Sequence, residues 1–217
     1  MPSAPRAANP SAANPSAANP SAAAPSAATP SVADSLRIFS GETARIVESF
    51  TGADAAAALD AAAQHIGSAP RVFLLGAGRS GLALQMTAMR LMHLGLTVHV
   101  VGEVTTPAIA RGDVLVAASG SGATAGILRS AQTAVDVGAT IVCLTTDPQS
   151  ALAELAAVTV VVPAAQKQDH GGTLSVQYAG GLFEQAVVLI GDAIFHSLWK
   201  ASGASADELW PRHANLE

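Results

Sequence analysis

The sequence predicts an α/β protein in which a five-stranded parallel sheet carries helices on both faces. Five short runs of β-branched and other apolar residues alternate with longer segments whose apolar residues recur at helical spacing. Two of these runs end in glycine-rich turns that lead directly into a helical pattern. Such alternation is typical of parallel sheets that are buried on both faces and bind ligands at the carboxyl ends of their strands.

The predicted elements follow one another in a regular order. Two helices come first, within residues 35–66, and are separated near Gly52. The five strands are expected at residues 71–75, 98–101, 114–118, 140–144 and 158–162. Between and after them, helices are expected at residues 82–94, 124–137 and 180–200. Glu184 and Asp192 are polar exceptions in the last, apolar helix and therefore require an explanation.

Residues 1–33 are predicted to form a disordered tail, and residues 34–217 the folded domain. The tail repeats a five-residue Ala-Ala-Asn-Pro-Ser unit that decays toward its end. Proline in every repeat interrupts a helix, and Ala and Ser bury too little apolar surface to offset the chain entropy lost on folding.

Composition excludes several classes of function. A net charge of -5 without a basic run argues against a nucleic-acid surface. Cys143 is the single cysteine, so an internal disulfide is excluded, and its apolar surroundings predict a buried small side chain. Since no uninterrupted apolar stretch is long enough to span a bilayer and no signal-peptide core is visible, we expect a cytoplasmic protein without a membrane partner.

The second glycine-rich turn has the composition of an anion-binding site. It consists of Ser119, Gly120, Ser121, Gly122, Ala123 and Thr124. Glycines let the backbone approach a ligand, and the amides and positive dipole end of the following helix attract an anion. Because the turn lacks the lysine of a P-loop, a phosphate monoester fits it better than a nucleoside triphosphate. Taken alone, the same turn is also explained as a helix cap at Thr124.

The first glycine-rich turn admits two interpretations. Gly76, Gly78 and Gly81 match the dinucleotide pattern G-x-G-x-x-G, and Glu103 lies at the distance of a ribose-binding acid. An NAD-dependent oxidoreductase is therefore one alternative. Ser80 at the helix start, together with the second turn, favours instead a clamp in which both turns hold one sugar phosphate.

Six stretches form a pattern more specific than either turn. They are residues 76–81, 88–95, 101–103 with Thr106 and Pro107, 119–124, 182–185 and 212–217. Together they resemble the sugar isomerase (SIS) domain family, and within it the 6-phospho-3-hexuloisomerases of the ribulose monophosphate pathway of formaldehyde fixation. The resemblance runs from about residue 35 to the C terminus and implies a flavodoxin-like three-layer α/β/α SIS domain that assembles as a homotetramer.

The resemblance also implies roles for particular residues. Ser80 and residues 119–124 are expected to bind the substrate, and Glu184 to accept the proton. Three departures from the family pattern are visible. Ala123 stands where the family usually has Glu, and Tyr178 and Gly181 replace the Pro and Ser that commonly precede the Leu-Phe-Glu stretch.

The implied reaction interconverts 3-hexulose 6-phosphate and fructose 6-phosphate through a 2,3-enediol. One carboxylate can remove the proton from C2 and return it to C3, so no metal or cofactor is expected. An ordinary carboxylate is a weak base toward a carbon acid, and the site must bury it partly or supply donors to the enediolate. From the residues alone, Glu184 is equally well explained as an acidic group favoured by the dipole of its helix.

His93, His213 and Arg79 complete the candidates. Both histidines could polarise a substrate oxygen or shuttle a proton, although a lone apolar-flanked histidine such as His93 is more often structural. His213 lies in a polar tail without an obvious local partner and could complete a neighbouring subunit's site. Arg79 is either a ligand of the phosphate and sugar hydroxyls or a member of a surface ion pair. The remaining histidines, His65, His99, His170 and His196, lack metal-ligand spacing.

Three functional classes therefore remain open. The first is the sugar-phosphate isomerase, the second the NAD-dependent oxidoreductase, and the third a non-catalytic SIS module that senses a sugar phosphate. A small sugar phosphate is the expected partner in the first and third classes.

Overall fold

The computed structural model describes residues 29–165 and 174–216, and its five strands form one parallel sheet. The strands are β1 (Val72–Gly76), β2 (Val98–Val100), β3 (Val114–Ala118), β4 (Thr140–Thr145) and β5 (Val158–Val161). Each begins and ends within one residue of its predicted bounds. Their order in the sheet is β2-β1-β3-β4-β5, and all neighbours are parallel. The predicted fold class is confirmed.

Seven α-helices are present in the described residues. They are α1 (Val32–Ser49), α2 (Ala53–Ser68), α3 (Gly78–Leu94), α4 (Ala125–Asp136), α5 (Ala151–Glu154), α6 (Gly181–Ser202) and α7 (Ala206–Leu209). The short α5 and α7 are absent from the sequence-based expectation. In addition, α3 begins four residues earlier than expected, which places Arg79 and Ser80 in its first turn.

The core lies on both faces of the sheet because successive strand residues point in opposite directions. Val72 and Leu74 of β1 pack with α1, α2, α3 and α6, whereas Phe73 and Leu75 pack with α4 and α5. Cys143 belongs to the second cluster, as expected, and burial raises the pKa of its thiol to about 12. It is therefore an inert core residue.

Helices α3 and α6 run side by side and parallel. A Cβ on Gly191 would lie 2.0 Å from the Thr87 hydroxyl oxygen, so a side chain on Gly191 of α6 would collide with Thr87 of α3. Near the N-terminal ends of both helices, Arg79 forms an ion pair with Glu184. Further along both helices, Arg90 lies 3.4 Å from Asp192. Both helices consequently start at the carboxyl edge of the sheet, and the Arg90 ion pair accounts for Asp192.

The apolar character of α6 has a structural explanation. By length and composition, the segment Tyr178–Ser202 could cross a membrane, in contrast to the sequence-based expectation. In this fold, however, 56% of its apolar window is buried against the domain. Packing on α1, α2 and α3 is therefore sufficient to explain why this helix is apolar.

Helix α1 begins two residues before the expected start of the folded domain at residue 34. Ser31 and Asp34 form a reciprocal cap in which the Ser31 side chain accepts from the Asp34 amide, and the Asp34 side chain accepts from the Ser31 amide. Helix α1 therefore begins at Val32. Residues 1–28, which hold most of the predicted disordered tail, lie outside the described residues, as does His170.

Candidate active site

The two glycine-rich turns lie side by side at the carboxyl edge of the sheet. Gly76 pairs with Ala118, so β1 and β3 end at the same level. The strand order changes direction between these two strands. In open parallel sheets, the crevice at such a switch point is where ligands bind.

Backbone packing explains the glycines of the first turn. A Cβ on Gly81 would lie 2.7 Å from the carbonyl oxygen of Gly76, and a Cβ on Gly76 would lie 2.8 Å from the Gly81 backbone. Gly78 has a φ of 57°, in the region that side-chain-bearing residues disfavour. The G-x-G-x-x-G pattern is therefore required by the strand-to-helix contact itself and does not depend on a dinucleotide. This packing leaves Ser80 buried at the start of α3.

The second turn is held in shape by hydroxyl groups. Ser119 is buried, and its hydroxyl lies 3.1 Å from that of Thr124. The carbonyl of Gly120 accepts hydrogen bonds from the hydroxyls of Thr145 and Thr146, at 3.1 and 2.8 Å. These bonds direct the Gly120 carbonyl oxygen toward the end of β4. This acceptor therefore does not oppose an anion that binds on the exposed side of the turn.

The exposed side of the same turn is suited to an anion. Gly122 has a φ of 58°, and a Cβ there would lie 2.0 Å from the Ser150 hydroxyl oxygen. Ser121 and Ala123 are exposed, and the amide of Ala123 donates to the Ser121 hydroxyl at 3.3 Å. Thr124 precedes α4 without making a side-chain cap. The first amides of α4 have no acceptor within their own helix and receive none from the Thr124 side chain, so they are available to an anion beside the exposed Ser121.

Glu184 and Arg79 are brought together beside these turns. Glu184 lies in the first turn of α6 with only 5% of its side chain exposed, and its Oε2 is 2.7 Å from Nε of Arg79. The Arg79 side chain is 68% exposed. A buried carboxylate is thus stabilised by a cation that itself remains accessible to solvent and to a ligand.

Phe183 connects this ion pair to the anion-binding turn. A Cβ on Gly120 would lie 3.6 Å from the Phe183 ring, so the residue next to Glu184 packs directly on the turn. Between α3 and α6 an open cleft of about 210 Å³ is lined by Arg79, Leu82, Ala83, Met86, Glu184, Gln185 and Val188. The structure therefore unites four predicted elements at one edge of the sheet: Ser80, Arg79, residues 119–124 and Glu184.

His93 and His213 lie elsewhere in the subunit. His93 is in the last turn of α3, about 20 Å from Arg79 at the usual rise per helical residue. The ring of His213 stacks on that of His93 with centroids 3.9 Å apart, and Trp210 stacks on His213 at 4.6 Å. Burial, together with the nearby charges of His213 and Arg90, lowers the pKa of His93 below its usual range, so its imidazole is neutral at pH 7.

The expectation that the C-terminal tail lacks a local partner is wrong. Leu209 is buried, and Nη1 of Arg212 donates to the carbonyl of His93 at 3.3 Å. Carbonyls in the last turn of a helix have no donor within that helix, and the tail supplies one to α3. The tail thus belongs to the fold of its own chain, and within one chain His213 does not reach Glu184.

Sequence reasoning missed Glu42, which lies on α1. Its carboxylate is buried and accepts hydrogen bonds from the segment that precedes α6. One signal was available, since Glu42 is four residues before the buried Ile46 and so shares the inward face of α1.

The other sequence-based sites are not assembled in the described residues. Glu103, the acid that a dinucleotide ribose would need, is exposed beyond β2. Across residues 29–165 and 174–216, no group of three or more His, Cys, Asp or Glu side chains is placed to hold a metal ion.

Comparison with known proteins identifies the fold family. The sequence model of the SIS domain family matches residues 65–189, which are more than half of the chain. The chain belongs to the SIS domain family. The SIS domain family predicted from the motifs is confirmed.

Several relatives of this SIS domain carry the same name. A protein from Mycobacterium gastri named 3-hexulose-6-phosphate isomerase is 58% identical over 155 residues, covering 71% of this chain and 78% of the relative. A protein of the same name from Bacillus subtilis (strain 168) is 38% identical over 159 residues, covering 73% and 86%. The crystal structure of a hypothetical protein from Methanococcus jannaschii, described as inferring a 3-hexulose-6-phosphate isomerase function, has a TM-score of 0.72 and 29% identity, covering 84% of this chain and 99% of that one.

Proposed function

We propose that this SIS domain is a 3-hexulose-6-phosphate isomerase that interconverts D-arabino-hex-3-ulose 6-phosphate and fructose 6-phosphate. The observation that carries the proposal is the buried carboxylate of Glu184 beside an anion-binding turn at the switch point of the sheet. The names of the relatives support 3-hexulose 6-phosphate as the substrate. The proposed setting is the ribulose monophosphate pathway of formaldehyde fixation, and the proposed compartment is the cytoplasm.

Glu184 is the proposed base. It takes the proton from C2 of the 3-ketose, and the electrons of the broken C–H bond form the C2–C3 double bond of the enediolate, whose negative charge lies on O3. Transfer of the hydroxyl proton from O2 to O3 and return of the carbon proton to C3 then give fructose 6-phosphate, with its carbonyl at C2. Burial of the Glu184 side chain keeps bulk water away from the carboxylate, so that the C2 proton has little competition from solvent.

The turn at residues 119–124 and Ser80 bind the phosphate and neighbouring hydroxyls. The donors available there are hydroxyl groups and the first amides of α4. Arg79 is included as a substrate ligand because a sugar that reaches Glu184 must pass beside its exposed guanidinium. This cation also offsets negative charge that develops on the enediolate.

The substrate itself limits what the enzyme must supply. In a 3-ketohexose 6-phosphate, the oxygen that would close a five-membered ring on C3 carries the phosphate, so the sugar stays open-chain. A ring-opening acid is therefore unnecessary in this direction. The proton transfer requires neither a metal nor a redox cofactor.

The proposal includes a homo-oligomer, a tetramer by resemblance, in which one subunit's His213 approaches another's Glu184. Two observations support it. The histidines are about 20 Å from Arg79 within one chain, and α3 exposes an apolar stripe of Leu82, Met86 and Met89 beside the cleft. A second subunit packed on this stripe would bury these side chains and form a further wall of the cleft.

The assembly is tested by hybrid complementation. His213→Ala and Glu184→Gln are each expected to reduce activity without dissociating the particle. Mixed oligomers of the two variants are expected to regain part of the activity, because some sites then combine an intact Glu184 with an intact His213. An active monomer in light scattering would refute the shared site.

The activity is tested by incubating purified protein with fructose 6-phosphate and measuring formation of the 3-hexulose in a coupled assay. Turnover is expected, with loss in Glu184→Gln. Two other outcomes favour the alternatives. Thermal stabilisation by NAD, but not by fructose 6-phosphate, indicates an oxidoreductase, whereas stabilisation by fructose 6-phosphate without turnover indicates a sensor.

A further inference from the structure

Glu42 of α1 is a buried carboxylate that accepts three hydrogen bonds from one distant segment. Its Oε2 accepts from the Ser175 hydroxyl at 2.8 Å and from Nε2 of Gln177 at 2.9 Å, and its Oε1 accepts from the Val176 amide at 2.8 Å. These partners lie 133 to 135 residues further along the chain. The carboxylate therefore pins the segment at residues 175–177 to α1.

The connection continues into α6. Gln177 and Gln185 form a reciprocal amide pair, with Nε2 of Gln185 donating to Gln177 at 2.8 Å and Nε2 of Gln177 donating back at 3.2 Å. Gln185 adjoins Glu184 in the first turn of α6 and lines the same cleft. A single network thus runs from Glu42 to the residue beside the proposed base.

The backbone between the network and Glu184 is strained. Ala179 has a φ of 51°. Within residues 29–165 and 174–216, it is the single non-glycine residue with a positive φ. Gly180, the residue before α6, has a φ of 80° and offers no side-chain cap. A left-handed alanine persists when the surrounding structure holds it in place. Residues 175–177, fixed by Glu42, hold this turn from one side.

We infer that Glu42 is a positioning residue for the isomerisation, one that fixes the entry of α6 and so directs Glu184 into the cleft. The inference rests on the proposed function, since it takes Glu184 as the base. A carboxylate is required here because every partner donates. The amide of a glutamine would present its own NH₂ group to at least one of these donors.

Glu42→Gln tests the inference, and Glu48→Gln, an exposed acid on the same helix, is the matched control. Displacement of the base is expected to lower kcat for fructose 6-phosphate by about 10- to 100-fold, while KM stays close to the wild-type value because residues 119–124 are untouched. Amide exchange measured by mass spectrometry is expected to quicken in peptides that cover residues 174–188 and to stay unchanged in the β-strands. Glu48→Gln is expected to match wild type in both measurements.

A second variant keeps the test decisive if Glu42→Gln folds poorly. Gln177→Met retains length and volume and leaves the bonds of Glu42 to Ser175 and Val176 in place, but it removes the link to Gln185. It is expected to lower kcat with little change in KM. Wild-type kcat in a folded Glu42→Gln or Gln177→Met variant, or unaltered exchange at residues 174–188, would overturn the positioning role. If exchange quickens but the wild-type chain does not turn over fructose 6-phosphate, the proposed function fails while the anchoring of α6 stands.

Discussion

Replacing Glu184 with glutamine separates the loss of catalysis from the loss of folding stability. Glutamine keeps the shape of the side chain and an oxygen that can accept from Arg79, but it cannot take a proton from carbon. Loss of a general base lowers rates by about 100- to 10,000-fold. This corresponds to about 3 to 5 kcal/mol of activation free energy.

The effect on stability should be far smaller. The carboxylate forms an ion pair with Arg79 at 2.7 Å, but the Arg79 side chain is 68% exposed, so solvent screens the pair. Losing an ion pair that is screened in this way costs up to about 1 kcal/mol. A large loss of kcat with a small shift in Tm is therefore expected.

The assay follows 3-hexulose formation from fructose 6-phosphate and the incorporation of solvent deuterium into product. Asp192→Asn is the control, because it removes the other acid of α6, whose ion pair with Arg90 is at the surface. Deuterium is expected in the product of the wild-type enzyme, since a carboxylate in an open cleft exchanges its proton with water.

Two results would refute this reasoning. Near-normal turnover by Glu184→Gln would show that another group is the base, and His93 would be the next to test. Normal wild-type turnover without any deuterium in the product would instead indicate a shielded proton transfer or a hydride shift.

Three further predictions concern binding, the N terminus and pH. Ser119→Ala and Ser121→Ala should each weaken substrate binding by about 1 to 3 kcal/mol, because a charged phosphate loses a donor; unchanged KM values in both variants would exclude the turn as the phosphate site. Deleting residues 1–28 should leave activity and Tm intact, whereas deleting residues 1–31 also removes the Ser31 cap of α1 and should cost about 1 kcal/mol in denaturant unfolding; equal stability of the two truncations would contradict this. Burial alone would raise the pKa of Glu42, but hydrogen bonds from Val176, Gln177 and Ser175, with Arg45 nearby, outweigh it and hold that pKa below its ordinary value of 4.5. The stability that wild type gains over Glu42→Gln should therefore be complete above pH 4.5 and be lost as the pH falls below it, and a difference that stays constant into acid would argue against this assignment.

The amino-acid sequence by itself determined the sheet, the two turns and the composition of the site. Apolar residues recur with a period near 2 residues in strands and 3.6 residues in helices. This recurrence is visible in the sequence wherever one face of an element is buried. The glycines at 76 and 81 were equally visible, although only the close strand-to-helix contact shows why they are needed. The early start of α3 was missed because glycine is a poor helix former, so the pattern appeared to begin only at Leu82.

Only the tertiary structure decided which of these groups meet. Arg79 and Glu184 are far apart in sequence, and they form an ion pair because α3 and α6 run parallel from the same edge of the sheet. Glu42 contacts the segment before α6 because α1 packs on the same core as α6. The stacking of His213 on His93 depends on where the chain returns after α6. Local patterns record which side chains face inward, but pairing between distant segments depends on helix direction and packing, which are properties of the whole fold.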